Sequence, residues 1–192
     1  MVRAVIFDFF GVLTNDQYSD WLHSRHLERN GVYAEVSHDA DLDEITMKQF
    51  FSRLASLTKA SVPVVETEFR STMIIRPGIV ALARQLRSRG YPLGLLSNSN
   101  GPWLRDLLRQ HELERLFDVI VISGEVGLVK PQPEIFALTL DQLKVAPNEA
   151  VFIDDRPDNV TAAAAAGIQA ILYKSETELK AQLAELTSDR SP

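Results

Sequence analysis

The chain contains no cysteine, which excludes disulfides, thiolate metal sites and a cysteine nucleophile together. Positive charge is not in excess: 20 Lys and Arg stand against 26 Asp and Glu, for a net charge of −6. No overall basic footprint for nucleic acid exists. Long hydrophobic runs are also missing. Nothing approaches the ~18 apolar residues of a membrane span, and after Met1-Val2-Arg3 only a handful of apolar residues precede Asp8. A cytoplasmic protein with neither membrane nor nucleic-acid partners is expected. What the 192 residues do contain is 45% hydrophobic and 24% charged side chains, an ordinary globular composition that suits one domain or one domain with an insertion.

Five short apolar runs are each closed by a polar or turn residue: Ala4–Phe7, Leu93–Leu96, Val119–Ile122, Ala150–Ile153 and Ala170–Tyr173. Such runs read as strands buried on both faces. Between the later ones lie helical patterns with recognisable ends: Ile79 to Arg89 stopped by Gly90, a helix begun at Pro102, Pro133 to Leu143, and one from Pro157 stopped by Gly167. Ser175 and Glu178 form a capping box for a last helix through Leu186. The alternation predicts an α/β fold, a three-layer Rossmann-like core with a parallel sheet between helices. From Thr14 to Ile75 no strand run occurs, but Met47, Phe50, Phe51, Leu54 and Leu57 share one helix face. The expected organisation is a core of residues 1–14 and 76–192 with a small helical cap, residues 15–75, inserted after the first strand.

Ligand sites in parallel sheets lie at the carboxyl ends of the strands, and the residues there are Asp8, Ser97, Ser123 and Asp154-Asp155. Carboxylates gathered at one edge repel each other unless a cation holds them, and an all-oxygen set suits Mg²⁺. Taken singly, each Asp reads better as a strand-end cap or turn carboxylate. Gly11 permits a tight turn whose peptide N–H groups can point at an anion. Ser97-Asn98 offers hydroxyl and amide groups before a helix, and Lys130, between a Gly turn and Pro131, is placed by its backbone.

In this order, these pieces resemble the haloacid dehalogenase-like hydrolases. The resemblance is carried by Asp8-Phe9-Phe10-Gly11-Val12-Leu13-Thr14, Leu96-Ser97-Asn98, Lys130-Pro131-Gln132-Pro133-Glu134-Ile135-Phe136 and Phe152-Ile153-Asp154-Asp155-Arg156-Pro157-Asp158-Asn159-Val160. Spacings of 89, 33 and 25 residues between Asp8, Ser97, Lys130 and Asp155 fit a member with its cap after the first motif. The resemblance implies a Mg²⁺-dependent phosphatase of a small phosphorylated metabolite in which Asp8 is the nucleophile and becomes an aspartyl phosphate. It implies Mg²⁺ held by Asp8, the Phe10 carbonyl and Asp155. It further implies phosphoryl binding by Ser97 and Lys130, assisted by Asn98 and the Gly11 and Val12 amides. Asp154 would orient Lys130 or a metal-bound water, and Asn159 would support that loop.

One position departs from the pattern. Two residues after the nucleophile such phosphatases usually carry a second Asp as acid and base, and here stands Phe10. Phenylalanine cannot transfer a proton, so the sequence implies slow turnover, a good leaving group, or a substitute such as Asp16 or Asp154. Phe10 also admits a 2-haloacid dehalogenase or a non-catalytic module that binds a phosphorylated metabolite. The Asp154-Asp155 pair argues against the first, and retention of all four motif residues against the second. Other signals are weaker. Asp39-Ala40-Asp41-Leu42-Asp43 has Glu44 where a calcium loop needs Gly, and reads as a solvated turn. His23 and His26 lack a third ligand and read as surface or packing residues. Phe50, Phe51, Trp21 and Trp103 read as packing, because no basic partners accompany them. Nothing in the sequence sets the oligomeric state.

Overall fold

The computed structural model describes residues 1–187. Five strands, β1 (Ala4–Phe7), β2 (Leu93–Ser97), β3 (Val119–Ile122), β4 (Ala150–Asp154) and β5 (Gln169–Leu172), form one sheet in the order β3-β2-β1-β4-β5, and every pairing is parallel. All five lie on the expected apolar runs. Alternation along the strands sends Val5, Phe7, Leu93, Leu95, Val151 and Ile153 into one hydrophobic cluster and Ala4, Ile6, Leu96, Val121, Ala150 and Phe152 into another. Both faces are therefore covered, which is why the runs read as continuously apolar.

Four helices lie between β1 and β2: α1 (Gln17–Ser24), α2 (Gly31–Asp41), α3 (Met47–Thr58) and α4 (Val62–Ser71). They are followed by α5 (Pro77–Ser88), α6 (Gly101–Gln110), a single turn α7 (Ser123–Val126), α8 (Pro133–Leu143), α9 (Pro157–Ala165) and α10 (Glu176–Leu186). Helices α5, α6 and α10 cover the first sheet face through Ile79, Leu104 and Leu179, whereas α8 and α9 cover the second through Ile135, Phe136 and Ala163. Half of the capping box expected at Ser175 forms: the Glu178 peptide N–H donates to Ser175 Oγ at 3.3 Å, while the Glu178 carboxylate takes the Ser175 hydroxyl rather than its peptide N–H.

Inside the four-helix segment the aromatic residues do pack, as their spacing predicts. Phe69 is the hub, 5.5 Å from Phe50, 5.5 Å from Phe51, 6.1 Å from Trp21 and 6.1 Å from Trp103, ring centre to ring centre. Trp103 belongs to α6, so the aromatic cluster joins the segment to the sheet layer. The two chain crossings run side by side. Thr14 pairs antiparallel with Ile75, the Asn15 N–H donates to the Ile74 carbonyl at 3.1 Å, and the Arg76 N–H donates to the Leu13 carbonyl at 2.9 Å. The Asn15 side chain adds a donor to the Thr72 carbonyl at 2.8 Å and an acceptor for the Ile74 N–H at 2.7 Å. The Arg76 guanidinium donates to the carbonyls of Gly11 and Val12.

The acidic stretch before α3 departs from the expected solvated turn. Asp39 to Asp41 are the last residues of α2, and Asp43 accepts from the Gly101 N–H at 3.0 Å and from Asn100 Nδ2. Ser123 Oγ donates to the Asp41 carbonyl. The turn docks onto the strand-end loops because Asp43 takes the Gly101 peptide N–H, which the Asn100 cap on Trp103 leaves over at the start of α6. His23 and His26 are exposed, in keeping with surface residues. No helix among the described residues is long and apolar enough to cross a membrane.

Candidate active site

Strand order places the site. The chain moves outward from β1 through β2 to β3, then returns across the sheet to β4 beside β1, so β1 and β4 flank the switch point where a crevice opens. Register does the rest. Phe7 lies opposite Ile153 and the Asp8 N–H donates to the Ile153 carbonyl at 2.9 Å, so Asp8 and Asp154 emerge side by side. Asp8, Asp154 and Asp155 each present a carboxylate oxygen within 4.8 Å of the others.

Lys130, on the loop before α8, holds this edge together. Its Nζ donates to Asp8 Oδ1 at 2.7 Å, to Asp154 Oδ2 at 2.7 Å and to the Leu96 carbonyl at 3.0 Å, which commits all three ammonium donors. Burial opposes the Lys130 charge, but the two carboxylates outweigh it and its pKa moves up. Asp154 is fully buried and saturated: besides Lys130 it accepts from the Arg156 N–H at 2.8 Å and from Asn159 Nδ2 at 3.0 Å. It is therefore a positioning group for Lys130, and Asn159 supports it. Asn98 was expected beside the phosphoryl group. Its side chain instead clamps the Lys130 peptide, accepting from the N–H at 2.8 Å and donating to the carbonyl at 2.9 Å.

Three acceptor groups at this edge have no donor from another side chain among the described residues: the second Asp8 oxygen, the Asp155 carboxylate and the Phe10 carbonyl. Burial, then Asp154 and Asp155, push Asp8 well above the usual carboxylate range against the pull of Lys130. Burial, then Asp154 and Asp16, push Asp155 to about 6. Unneutralised negative charge with oxygen ligands to spare is the condition a divalent cation relieves. The edge fits Mg²⁺. Gly11 contributes through close approach: it sits at φ +95°, and a Cβ there would lie 2.1 Å from Asp155 Oδ2. Its N–H, expected to face an anion, is used within the turn on the Thr14 carbonyl at 3.0 Å, because Phe10 to Thr14 folds back on itself. The Val12 N–H makes no backbone bond of that kind among the described residues. Ser97 Oγ is buried and has no partner among the described residues, as a phosphoryl donor awaiting its acceptor would be.

Two adjoining cavities open here. The first, over the strand ends, is lined by Asp8, Lys130, Asp155 and Arg156. The second lies under the four helices and is lined by Gln17, Tyr18, Ser37, Asp41, Phe50 and Phe69 among others. Phe10, Asp16, Arg29 and Asn98 border both. Sequence reasoning missed Gln17, Arg29, Ser37, Asp41 and Asp43. Gln17, Arg29 and Ser37 belong to no apolar run, turn signal or strand end, and Asp41 and Asp43 were read only as part of a solvated turn; packing of α1 and α2 brings Gln17, Arg29, Ser37 and Asp41 to the cavity, and Asp43 to the start of α6.

A model of the haloacid dehalogenase-like hydrolase family matches residues 2–167. The chain belongs to that family. It is 30% identical over 159 residues to the bifunctional epoxide hydrolase 2 of Rattus norvegicus, across 79% of this chain and 28% of that protein. It is 28% identical over 190 residues to the phosphorylated carbohydrates phosphatase of Thermotoga maritima, across 88% of this chain and 84% of that one. The chain spans less than a third of the length of several curated relatives it matches. In fold it resembles a HAD family enzyme of Bacteroides thetaiotaomicron solved with magnesium and inorganic phosphate, with a TM-score of 0.73 at 22% identity over 91% of this chain and 95% of that one.

Proposed function

We propose that the protein is a Mg²⁺-dependent phosphatase of a small phosphorylated metabolite, working through an aspartyl phosphate on Asp8, with residues 15–75 as a cap over the site. The carrying observation is the buried Ser97 hydroxyl, without a partner among the described residues, on the same sheet edge as the Asp8–Lys130 pair and the Asp155 carboxylate. Asp8 attacks phosphorus through one carboxylate oxygen, the other remaining for Mg²⁺. The ester P–O bond breaks, its electron pair leaves with the ester oxygen, and that oxygen takes a proton. Water then attacks phosphorus, the Asp8–phosphorus bond breaks, and phosphate leaves. Ser97 Oγ–H, the Val12 N–H and Lys130 donate to the phosphoryl oxygens, Lys130 exchanging one of its present acceptors. Asp8, Asp155 and the Phe10 carbonyl would hold Mg²⁺, which when bound neutralises carboxylate and phosphoryl charge.

The Phe10 side chain transfers no proton, so turnover is slow for poor leaving groups unless another carboxylate serves. Asp16 and Asp41 are the carboxylates bordering the cavity under the helices. Asp8→Asn should bring Mg²⁺-dependent phosphate release to background with the fold intact, since the amide has the same shape but is not nucleophilic. Near-normal release by that variant ends the covalent mechanism. The aromatic Phe10 beside both cavities favours one rival, a 2-haloacid dehalogenase. Halide release by the wild type without metal would establish it instead.

A further inference from the structure

The turn after β1, from Phe9 to Thr14, is almost wholly buried, and its carbonyls can be followed one by one. That of Phe9 accepts from the Thr14 N–H at 3.0 Å and from Thr14 Oγ1 at 3.3 Å. That of Thr14 accepts from the Gly11 N–H at 3.0 Å, and that of Leu13 from the Arg76 N–H at 2.9 Å. The carbonyls of Gly11 and Val12 receive no peptide N–H among the described residues. Arg76 takes both through its guanidinium, Val12 at 3.2 Å. Only the Phe10 carbonyl is left over among the described residues. An open carbonyl in a turn so fully paired, bordering the same cavity as Asp8 and Asp155, is available to a hard cation.

Gly11 is the weak point of this arrangement. Its φ of +95° and the Asp155 oxygen 2.1 Å from where a Cβ would lie demand glycine, and glycine brings the greatest backbone freedom. Neither the carbonyl nor the N–H of the Gly11–Val12 peptide is bonded to other backbone among the described residues, so nothing in the main chain fixes its direction. Arg76 does. One guanidinium nitrogen serves both successive carbonyls, and a charged donor makes such bonds the stronger kind. Arg76 is itself braced. Its guanidinium lies 5.1 Å from the Tyr173 ring centre, within cation–π range, and the Tyr173 N–H donates to the Asp154 carbonyl at 2.8 Å. The brace therefore ends on the residue before Asp155, and both sides of the carboxylate edge are set against one side chain.

We propose that Arg76 is a positioning residue of the Mg²⁺ site: braced on Tyr173, it fixes the Gly11 and Val12 carbonyls so that the Phe10 carbonyl keeps its place beside Asp8 and Asp155. The inference rests on the reading of those three groups as the ligands of the ion. The test is the Mg²⁺ dissociation constant by isothermal titration calorimetry, set beside the Mg²⁺ half-saturation of phosphate release from phenyl phosphate. Arg76→Met keeps the length of the side chain without its donors, and should weaken Mg²⁺ binding by about tenfold or more, the usual cost of removing a group that orients a metal ligand. At saturating Mg²⁺ its kcat should return to within about threefold of wild type, because Arg76 serves binding of the ion and not the chemical step. Arg76→Lys returns a cation with donors to spare and should recover most of the affinity. Tyr173→Leu removes the brace alone and should weaken Mg²⁺ about threefold, which decides the matter even where Arg76→Met does not fold. Asp43→Ala loosens the helices elsewhere and should leave the affinity unchanged. Unaltered Mg²⁺ affinity in Arg76→Met or in Tyr173→Leu overturns the proposal, as does an equal loss in Asp43→Ala, which would mark a general effect of destabilisation. Mg²⁺ binding by the wild type without phosphate release removes the phosphatase reading and leaves this inference standing. Absence of Mg²⁺ binding by the wild type removes both.

Discussion

The sheet edge and the helices above it solve the same problem, keeping polar groups away from water, in opposite ways. At the edge, Lys130, Asp154, Asn159 and Asn98 satisfy one another through short bonds fixed by strand register. The charged groups left over, on Asp8 and Asp155, are those a cation can neutralise. Under the helices, polar groups are few and scattered among aromatic rings, Arg29 is offset by Asp41, and Gln17 is left with an open acceptor. The contrast separates a network whose members fix one another's positions from a sparse lining in which single polar groups stand among rings.

The sharpest way to break the contrast is to remove its central cation. Lys130→Met would leave Asp8 and Asp154 buried without their partner, and should cost about 3–5 kcal/mol of stability along with turnover. Urea denaturation measures the first, and Mg²⁺ should restore part of it. A variant as stable as wild type would show that the edge is not held by Lys130. Next in size is Phe10→Asp, which places a proton donor between the two cavities. It should raise turnover of alkyl phosphates by up to ~10²-fold and of aryl phosphates least, since their leaving groups need no proton. Equal effects on both classes would deny the missing acid as the limit. Circular dichroism must confirm folding, because a carboxylate in an apolar setting is itself costly.

A smaller effect tests Asp41, whose carboxyl burial raises from 3.8 to about 6 against the pull of Arg29, His38, Arg156 and Lys130. A carboxyl with a raised folded pKa holds its proton more tightly in the folded state, so its stabilising contribution is present below about pH 4 and lost as pH climbs through about 6. Asp41→Asn should therefore gain on wild type as pH rises, reaching about 1–2 kcal/mol at pH 8. Denaturation midpoints from pH 4 to 8 check it, and a gap that does not widen refutes it. The smallest effect is at Asp43, where Asp43→Ala removes the bonds to Gly101 and Asn100. Loss of about 0.5–1 kcal/mol and a few-fold rise in KM are expected. Gly124→Ala should reproduce both, since its Cβ would fall 2.5 Å from the Asp43 carboxylate carbon. A milder outcome for Gly124→Ala would mean the turn shifts without cost.

Legibility in the sequence follows the same division. Asp8, Ser97 and Asp154 could be found because a doubly covered strand is a continuous apolar run, and the residue that ends it stands at the sheet edge whatever the rest of the chain does. Lys130 could be found from its Gly and Pro flanks. The partners these groups choose were less legible: Asn98 turned to the Lys130 peptide, and the Gly11 N–H to Thr14, because local turn geometry decided where each donor points. Among the four helices only the stripe on α3 announced itself. Gln17, Arg29 and Asp41 lie on α1, α2 and the connection between them, where nothing local distinguishes a cavity-facing polar side chain from a solvated one. The acidic turn misled for the same reason: Asp43 is polar and partly exposed, yet it caps a helix from another part of the chain.

The paired crossings at Thr14–Asn15 and Ile74–Arg76 act as a transmission. Because Arg76 holds the carbonyls of Gly11 and Val12, the strand by which the chain leaves the four helices grips the turn that carries the Phe10 carbonyl and the Val12 N–H. Any swing of the helices about those two strands pulls on that turn. The four helices and the turn that carries Phe10 and Val12 are thus mechanically joined, and a displacement of either is felt by the other.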